Sequence, residues 1–220
     1  MDKQAFEPAS ARSTVRRVAR RASYDPAVVD AILDAGLIAH VAFVVEDQPF
    51  AIPMIYVRRG RDVIMHGAIA SRLLRGGAAG VPMAVSVTLL DGIVYAKSAF
   101  HHSVNYRSVV LLGSAREVVD EAEKRACFDE LIERVSPGRS KLVRAPNDKE
   151  LAATRVIAMP ITEASAKIRT GGPIDDAEDL GVAVWAGHLP LGLAAMSHVQ
   201  AADDQRYALP AMPTGITLAP

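Results

Sequence analysis

LIAHVAFVVEDQPFAIPMIYVRRGRDVIMHG, residues 37–67, sets three apolar runs between two short polar breaks. LIAHVAFVV (37–45) is rich in β-formers, EDQP (46–49) turns, and FAIPMIYVR (50–58) forms a second run. RGRD (59–62) turns again and VIMHG (63–67) closes the series. Connections this short join antiparallel neighbours, because a parallel crossover needs a dozen residues or more. Pro53 lies inside the second run and donates no ladder hydrogen bond, so that strand is expected at an edge or a bulge.

The same rhythm continues outward. VPMAVSVTLL (81–90) and IVYAKSAF (93–100) flank Asp91-Gly92, a hairpin signal. YRSVVLLGSAREVV (106–119) is long enough to wrap part of a barrel, with Gly113 as a kink or bulge. RVIAMPI (155–161) and ASAKIRTG (164–171) form another pair, and GVAVWAGHLPLGLAA (181–195) adds more β. Helices are few. Asp25-Pro26 opens one that Gly36 stops. A short one begins near Ser71 and ends at Gly76-Gly77. A third, about 120–135, places Cys127, Leu131 and Val135 on one face. The chain therefore reads as mainly β, an antiparallel barrel with peripheral helices. Residues 1–24 form an arm carrying Arg12, Arg16, Arg17, Arg20 and Arg21. It is either solvated, packed on a partner subunit or directed at an anionic ligand. One domain follows over 25–200, then a proline-containing tail over 201–220.

Bulk properties narrow the function. Lys plus Arg and Asp plus Glu number 25 each among 220 residues, so no global charge favours nucleic acid or an anionic membrane. A single cysteine, Cys127, rules out a disulfide framework within the chain and reads as a small buried hydrophobe. No stretch approaches about 20 uninterrupted apolar residues, and the arginine-bearing N-terminus has no apolar core, so a cytoplasmic protein is expected.

Four segments carry candidate chemistry. HGAIASRLLR (66–75) takes a strand into a short helix. Free N–H groups at a helix start, the Ser71 hydroxyl and the guanidinium groups of Arg72 and Arg75 suit a phosphate. The same residues also read as a capped surface helix. SAFHHSVNYRS (98–108), if extended, turns Phe100, His102, Val104 and Tyr106 one way and His101, Ser103, Asn105 and Arg107 the other. The second set suits the hydrogen-bonding edge of a ligand, though each histidine alone also fits a structural role. Adjacent histidines diverge on a strand, so no metal ligand is assigned. KIRTGGP (167–173) puts Lys167 and Arg169 on one strand face before glycines, either near a phosphate or in solvent. Trp185, the single tryptophan, fits a core position better than a cofactor platform. No Ser-His-Asp arrangement, CxxC pair, Walker loop or GxGxxG occurs.

Taken together, HGAIASRLLR, VSVTLLDGIVYAKSAFHHSVNYRSVVLLGSA and KIRTGGPIDDAEDLGVAVWAGHLPL resemble the flavin-binding relatives of pyridoxamine 5'-phosphate oxidase. Among these, the resemblance leans to the branch that includes the nitroimidazole-resistance flavoproteins. It covers about residues 13–200, and DG-x-VYAKSAFHHSxNYRSVV is its most specific part. It implies an FMN-binding split β-barrel, usually a homodimer with flavin at the subunit interface. Ser71 and Arg72 would hold the flavin phosphate, with His66 and Ala68 on the strand leading in and His66 as the catalytic candidate. Ser98, His101, His102, Asn105 and Arg107 would lie along the isoalloxazine or ribityl chain. Lys167, Arg169 and Trp185 would approach from the partner. The C-terminal arginine and histidine pattern of true pyridoxamine 5'-phosphate oxidases is not recognisable, so vitamin B6 oxidation is not expected. The implied function is an FMN-dependent oxidoreductase of a small electron-poor molecule, with FMN expected ahead of FAD. The alternatives are a flavin or nucleotide binder without turnover, or a haem protein using His66, His101 or His102.

Overall fold

The computed structural model describes residues 6–195, 199, 217 and 218. Most of the expected tail over 201–220 thus lies outside the described residues. The strands are β1 (Ala22–Ser23), β2 (Ile38–Val45), β3 (Gln48–Arg59), β4 (Asp62–Ala68), β5 (Pro82–Tyr95), β6 (Ser103–Ser114), β7 (Arg116–Glu117), β8 (Thr154–Pro160), β9 (Ala164–Arg169), β10 (Gly187–Pro190), β11 (Ala194–Ala195) and β12 (Thr217–Leu218). The helices are α1 (Pro26–Ala35), α2 (Arg72–Ala78), α3 (Glu121–Val135) and α4 (Asp148–Ala153).

Ten strands make one antiparallel sheet in the order β1-β9-β6-β5-β2-β3-β4-β8-β7, with β10 paired to β5 beyond β2. The sheet curls without closing, as a split barrel does. β11 and β12 pair in parallel apart from it. The three runs in 37–67 are β2, β3 and β4, antiparallel as expected. β4 pairs with β3 only from Tyr56 onward, so Pro53 sits where β3 has β2 on one side and no strand on the other.

Alternation along β2 and β5 separates two faces. The inner face carries Val41, Phe43, Val85, Val87, Val109 and Leu111, packed on Val29, Ile32 and Leu33 of α1. A second core gathers Ile64, Val156 and Ala158 beneath Cys127, Leu131 and Phe128 of α3. Val135, expected on that helix face, is exposed at the last turn. Burial pushes the Cys127 thiol upward, which keeps it protonated.

Three expectations are corrected. Asp91-Gly92 is no hairpin turn; β5 runs through it with a bulge between Leu90 and Gly92, and the chain reverses over 96–102. Gly92 is needed because β10 crosses there: a Cβ would lie 2.8 Å from the Leu189 carbonyl oxygen. Gly36 stops α1 as expected, with extended backbone, and its missing side chain makes room for Val87 and Tyr56, 2.5 and 2.8 Å from a Cβ. α2 continues through Gly76-Gly77 to Ala78. Gly113 keeps regular register opposite Met83.

The arm is folded on its own chain. Glu163 accepts hydrogen bonds from Arg12 and Ser10, the Tyr24 hydroxyl accepts from the Val15 amide, and β1 pairs with β9.

Candidate functional site

The residues marked in the sequence fall into two groups at opposite ends of β5. At the first, or near, end, β2 and β3 bring Phe43 and Phe50 together opposite Met83, with ring centroids 5.5 Å apart. Ser71 is the N-cap of α2, and its hydroxyl makes no capping bond. The Arg72 guanidinium lies 4.5 Å over the Phe50 ring and has no carboxylate partner among the described residues. Ala68 and Ile69 are exposed beside them. His66 shares a strand face with Ile64 and turns under α3, where its ring meets the edge of Phe128 at 5.7 Å. Burial lowers its pKa, so the imidazole is neutral near pH 7.

At the far end, a 3-10 turn over Ala99–His101 replaces the extended backbone expected there, and the inside-outside alternation begins only at Ser103. His101 Nε2 donates to the Asp176 carboxylate at 3.0 Å, and this bond raises the histidine's pKa. The His102 Nδ1 lies 2.9 Å from the Ser98 carbonyl oxygen. A carbonyl only accepts, so Nδ1 carries the proton and Nε2 keeps a free lone pair. The His102 ring sits against Tyr95, which also touches Trp185. Trp185 is 66% exposed and is therefore not a core residue. Asn105 is buried and donates to the Gly171 carbonyl, while the Arg169 guanidinium donates to the Asn105 side chain and to Gly171 and Gly172. Arg107 is held by two hydrogen bonds to Asp91, at 2.9 and 2.7 Å. The Lys167 carbonyl accepts from Ser108.

Met83 and Val94 mark the two ends along β5, eleven residues or roughly 35 Å of strand apart. One copy of the chain does not bring Ser71 and Arg72 to the segment 98–105. Between the two ends, the outer face of the sheet runs through Ile38, His40, Ala42 and Val44 of β2, and Pro49, Ala51, Pro53 and Ile55 of β3. It continues over Ala84, Ser86, Thr88 and Leu90 of β5 and Tyr106, Ser108, Val110 and Leu112 of β6. None of these positions is Asp, Glu, Lys or Arg. Ile38, Val44 and Leu90 are each about half exposed, at 49, 53 and 52%. The outer face is thus free of Asp, Glu, Lys and Arg from β3 across to β6.

Among the described residues, four buried side-chain polar atoms lack a hydrogen-bond partner, and three are on marked residues: His66 Nδ1, Ser98 Oγ and Arg169 Nε. Native interiors leave few such atoms, and each calls for a physical reason. Sequence reasoning passed over Lys97 and Asp175. The Asp175 carboxylate accepts from the Lys97 amide, and the Lys97 ammonium donates to the Val182 and Val184 carbonyls, which fastens the approach to Trp185. Lys97 stands inside the quoted motif, but only the fold shows what it holds.

An open antiparallel barrel with a strand-to-helix corner at one end of β5 and a polar cluster at the other defines a class. Residues 25–168 match the family model described as pyridoxamine 5'-phosphate oxidase, and the chain belongs to that family. No curated protein matches the sequence. Among solved structures, the flavocytochrome Anf3 from Azotobacter vinelandii is 36% identical, with 96% of this chain and 97% of that chain covered, at a TM-score of 0.87. An FAD and heme binding protein from Mycobacterium smegmatis is 38% identical, covering 86% of this chain and 94% of that chain, with a TM-score of 0.82. A candidate 5-nitroimidazole antibiotic resistance protein from Bacteroides thetaiotaomicron shares the fold, at 16% identity, 67% and 86% coverage and a TM-score of 0.53.

Proposed function

We propose that this protein binds a flavin between two copies of itself and acts as an oxidoreductase, with haem as a second cofactor. The observation that carries the proposal is the trio of unpartnered buried atoms on His66, Ser98 and Arg169, all residues marked for cofactor binding. A polar ligand at these positions would satisfy them. Ser71 and Arg72, with an uncapped hydroxyl and an unpaired guanidinium, would take the flavin phosphate. Ala68 leads into that corner and His66 stands behind it as a neutral proton-transfer candidate. Ser98, His101, His102 and Asn105 of the other copy would line the ring and ribityl chain. Arg107 is engaged by Asp91 and would act by holding β6 to β5 rather than by touching the flavin.

Two relatives of 36 and 38% identity, one a flavocytochrome and one binding FAD and heme, widen the expectation from FMN to a flavin, with FAD tested beside FMN. They also favour haem over a flavin acting alone. His102 suits an axial ligand, because its Nδ1–H is fixed on a backbone carbonyl and its Nε2 is free. His101 is less suited, since its Nε2 is taken by Asp176. Bound flavin and haem would supply the electron transfer, while the chain holds them, orients them and excludes water. A small electron-poor molecule is the proposed substrate class.

The test is the visible spectrum of the purified protein after separate loading with FMN, FAD and haemin and removal of excess. Retained flavin bands, and a Soret band that His102→Ala abolishes, are expected. A protein that retains neither chromophore contradicts the proposal.

A further inference from the structure

Half of the described arginines pair with carboxylates, among them Arg58 with Asp34, Arg107 with Asp91, Arg116 with Glu123 and Arg144 with Glu150. Arg20, Arg21 and Arg169 have no carboxylate partner among the described residues, and they meet in one place. They line a cleft of about 290 Å³ together with Phe100, His102 and Ile174. The same three arginines and Ile174 line an adjoining cleft of about 210 Å³.

Arg169 is the telling member. It is only 6% exposed, its neighbours within hydrogen-bond reach are the neutral Asn105, Gly171 and Gly172, and its Nε has no partner. A buried guanidinium without a counter-ion is unfavourable, and a second cation beside it makes it more so. Arg21 is that second cation; with burial, it lowers the Arg169 pKa. The nearby acidic groups are already engaged, Asp176 by His101 and Asp175 by the Lys97 amide. The arm is also bent to deliver its two arginines. Val18, a β-branched residue, adopts left-handed backbone at φ 55° immediately before the turn Ala19–Arg21, and β1 then pins the arm to β9. Two exposed apolar side chains stand beside the arginines in the lining, Phe100 at 90% and Ile174 at 67%.

We propose that Arg20, Arg21 and Arg169 form an oxyanion site for the paired acid groups of a ligand whose flat apolar body lies against Phe100 and Ile174. The identity of that ligand rests on the function proposed above, and two sources share the chemistry: the diphosphate of a flavin dinucleotide and the carboxylates of haem. The site itself depends on neither.

The experiment uses the full chain and inorganic pyrophosphate as the first probe, read by calorimetry and by thermal protection. FMN, FAD and haemin are then titrated into the wild type, into Arg169→Gln, and into the double variant Arg20→Gln with Arg21→Gln. The double variant changes one exposed and one half-buried side chain, so its fold is retained even if Arg169→Gln is unstable. Pyrophosphate is expected to bind the wild type and to bind the variants roughly 10- to 100-fold more weakly, the usual effect of a charge-assisted hydrogen bond. A matching loss for FAD with FMN unchanged assigns the diphosphate; a matching loss for haemin assigns the carboxylates. Pyrophosphate binding without any flavin or haem binding keeps the site and removes the cofactor proposal. Flavin or haem bound equally well by wild type and variants, with no pyrophosphate binding, overturns the site and leaves the cofactor proposal standing.

Discussion

The two ends of β5 differ in how their polar groups are used. At the near end the side chains are few and loosely engaged: Ser71 caps nothing, and Arg72 rests on the Phe50 ring. At the far end they are many and interlocked. Arg169 reaches Asn105, Gly171 and Gly172, His102 holds the Ser98 carbonyl, and Lys97 ties down Val182 and Val184. The near end resembles a clamp waiting for one anionic group, and the far end a preformed wall. An uncharged outer face spans the distance between them. A clamp and a wall at opposite ends of β5 on one chain make a single site when a second copy turns the wall of one towards the clamp of the other.

The comparison breaks most readily at the face itself. Ala42 is exposed on the outer face, where a single glutamate is tolerated in a lone copy but would be buried in a dimer that uses this face. Ala42→Glu is expected to halve the mass seen by sedimentation and to abolish flavin retention, since an unpaired buried charge costs several kcal/mol. A dimer that persists would show that the copies meet elsewhere. The near end is tested alone by Arg72→Ala, for which flavin affinity by fluorescence quenching should fall about 10- to 100-fold, the loss of one charge-assisted hydrogen bond.

The far-end wall is tested by Gly92→Ala. The new Cβ would press on the Leu189 carbonyl, 2.8 Å away, and displace β10. A destabilisation of about 1–3 kcal/mol is expected from such overpacking. Trp185, the only tryptophan, rests on Tyr95 and should report the movement as a shift in emission. Unchanged melting and emission would mean that β10 does not fasten the wall. The smallest effect concerns His66. Burial holds its pKa below the ordinary value, so below about pH 6.5 the unfolded chain binds a proton that the folded one refuses. The contribution is present above that pH and is lost as pH falls through the lower folded value. His66→Phe should flatten the fall in melting temperature between pH 7 and 5, and an unchanged slope would place the titration on another group.

Much of this was legible in the chain. The period-2 runs of 37–67 needed only local pattern to become β2, β3 and β4, and Asp25-Pro26 marked the start of α1 because capping is local. Asp91-Gly92 misled because its glycine answers to Leu189, nearly a hundred residues later, and not to a turn. His101 left the expected face because the chain reverses over 96–102 and not at Gly92. Arg20 and Arg21 were visible as charge, but their place beside Arg169 depends on the pairing of Ala22 with Lys167, which no local signal announces. The separation of Ser71 from Ser98 was equally hidden, because it is a property of the unbroken length of β5.

The most direct measurement mixes two defective copies. Arg72→Ala weakens the clamp, and His101→Ala with His102→Ala weakens the wall; each alone, at a flavin concentration set between the wild-type and variant affinities, should hold almost no flavin. After dissociation and random re-pairing at equal concentration, half the dimers are mixed, and each of these has one intact site out of two. Retained flavin should therefore return to about a quarter of the wild-type level in a two-fold dimer. A mixture that retains none would contradict a site shared between copies and confine each cofactor to a single chain.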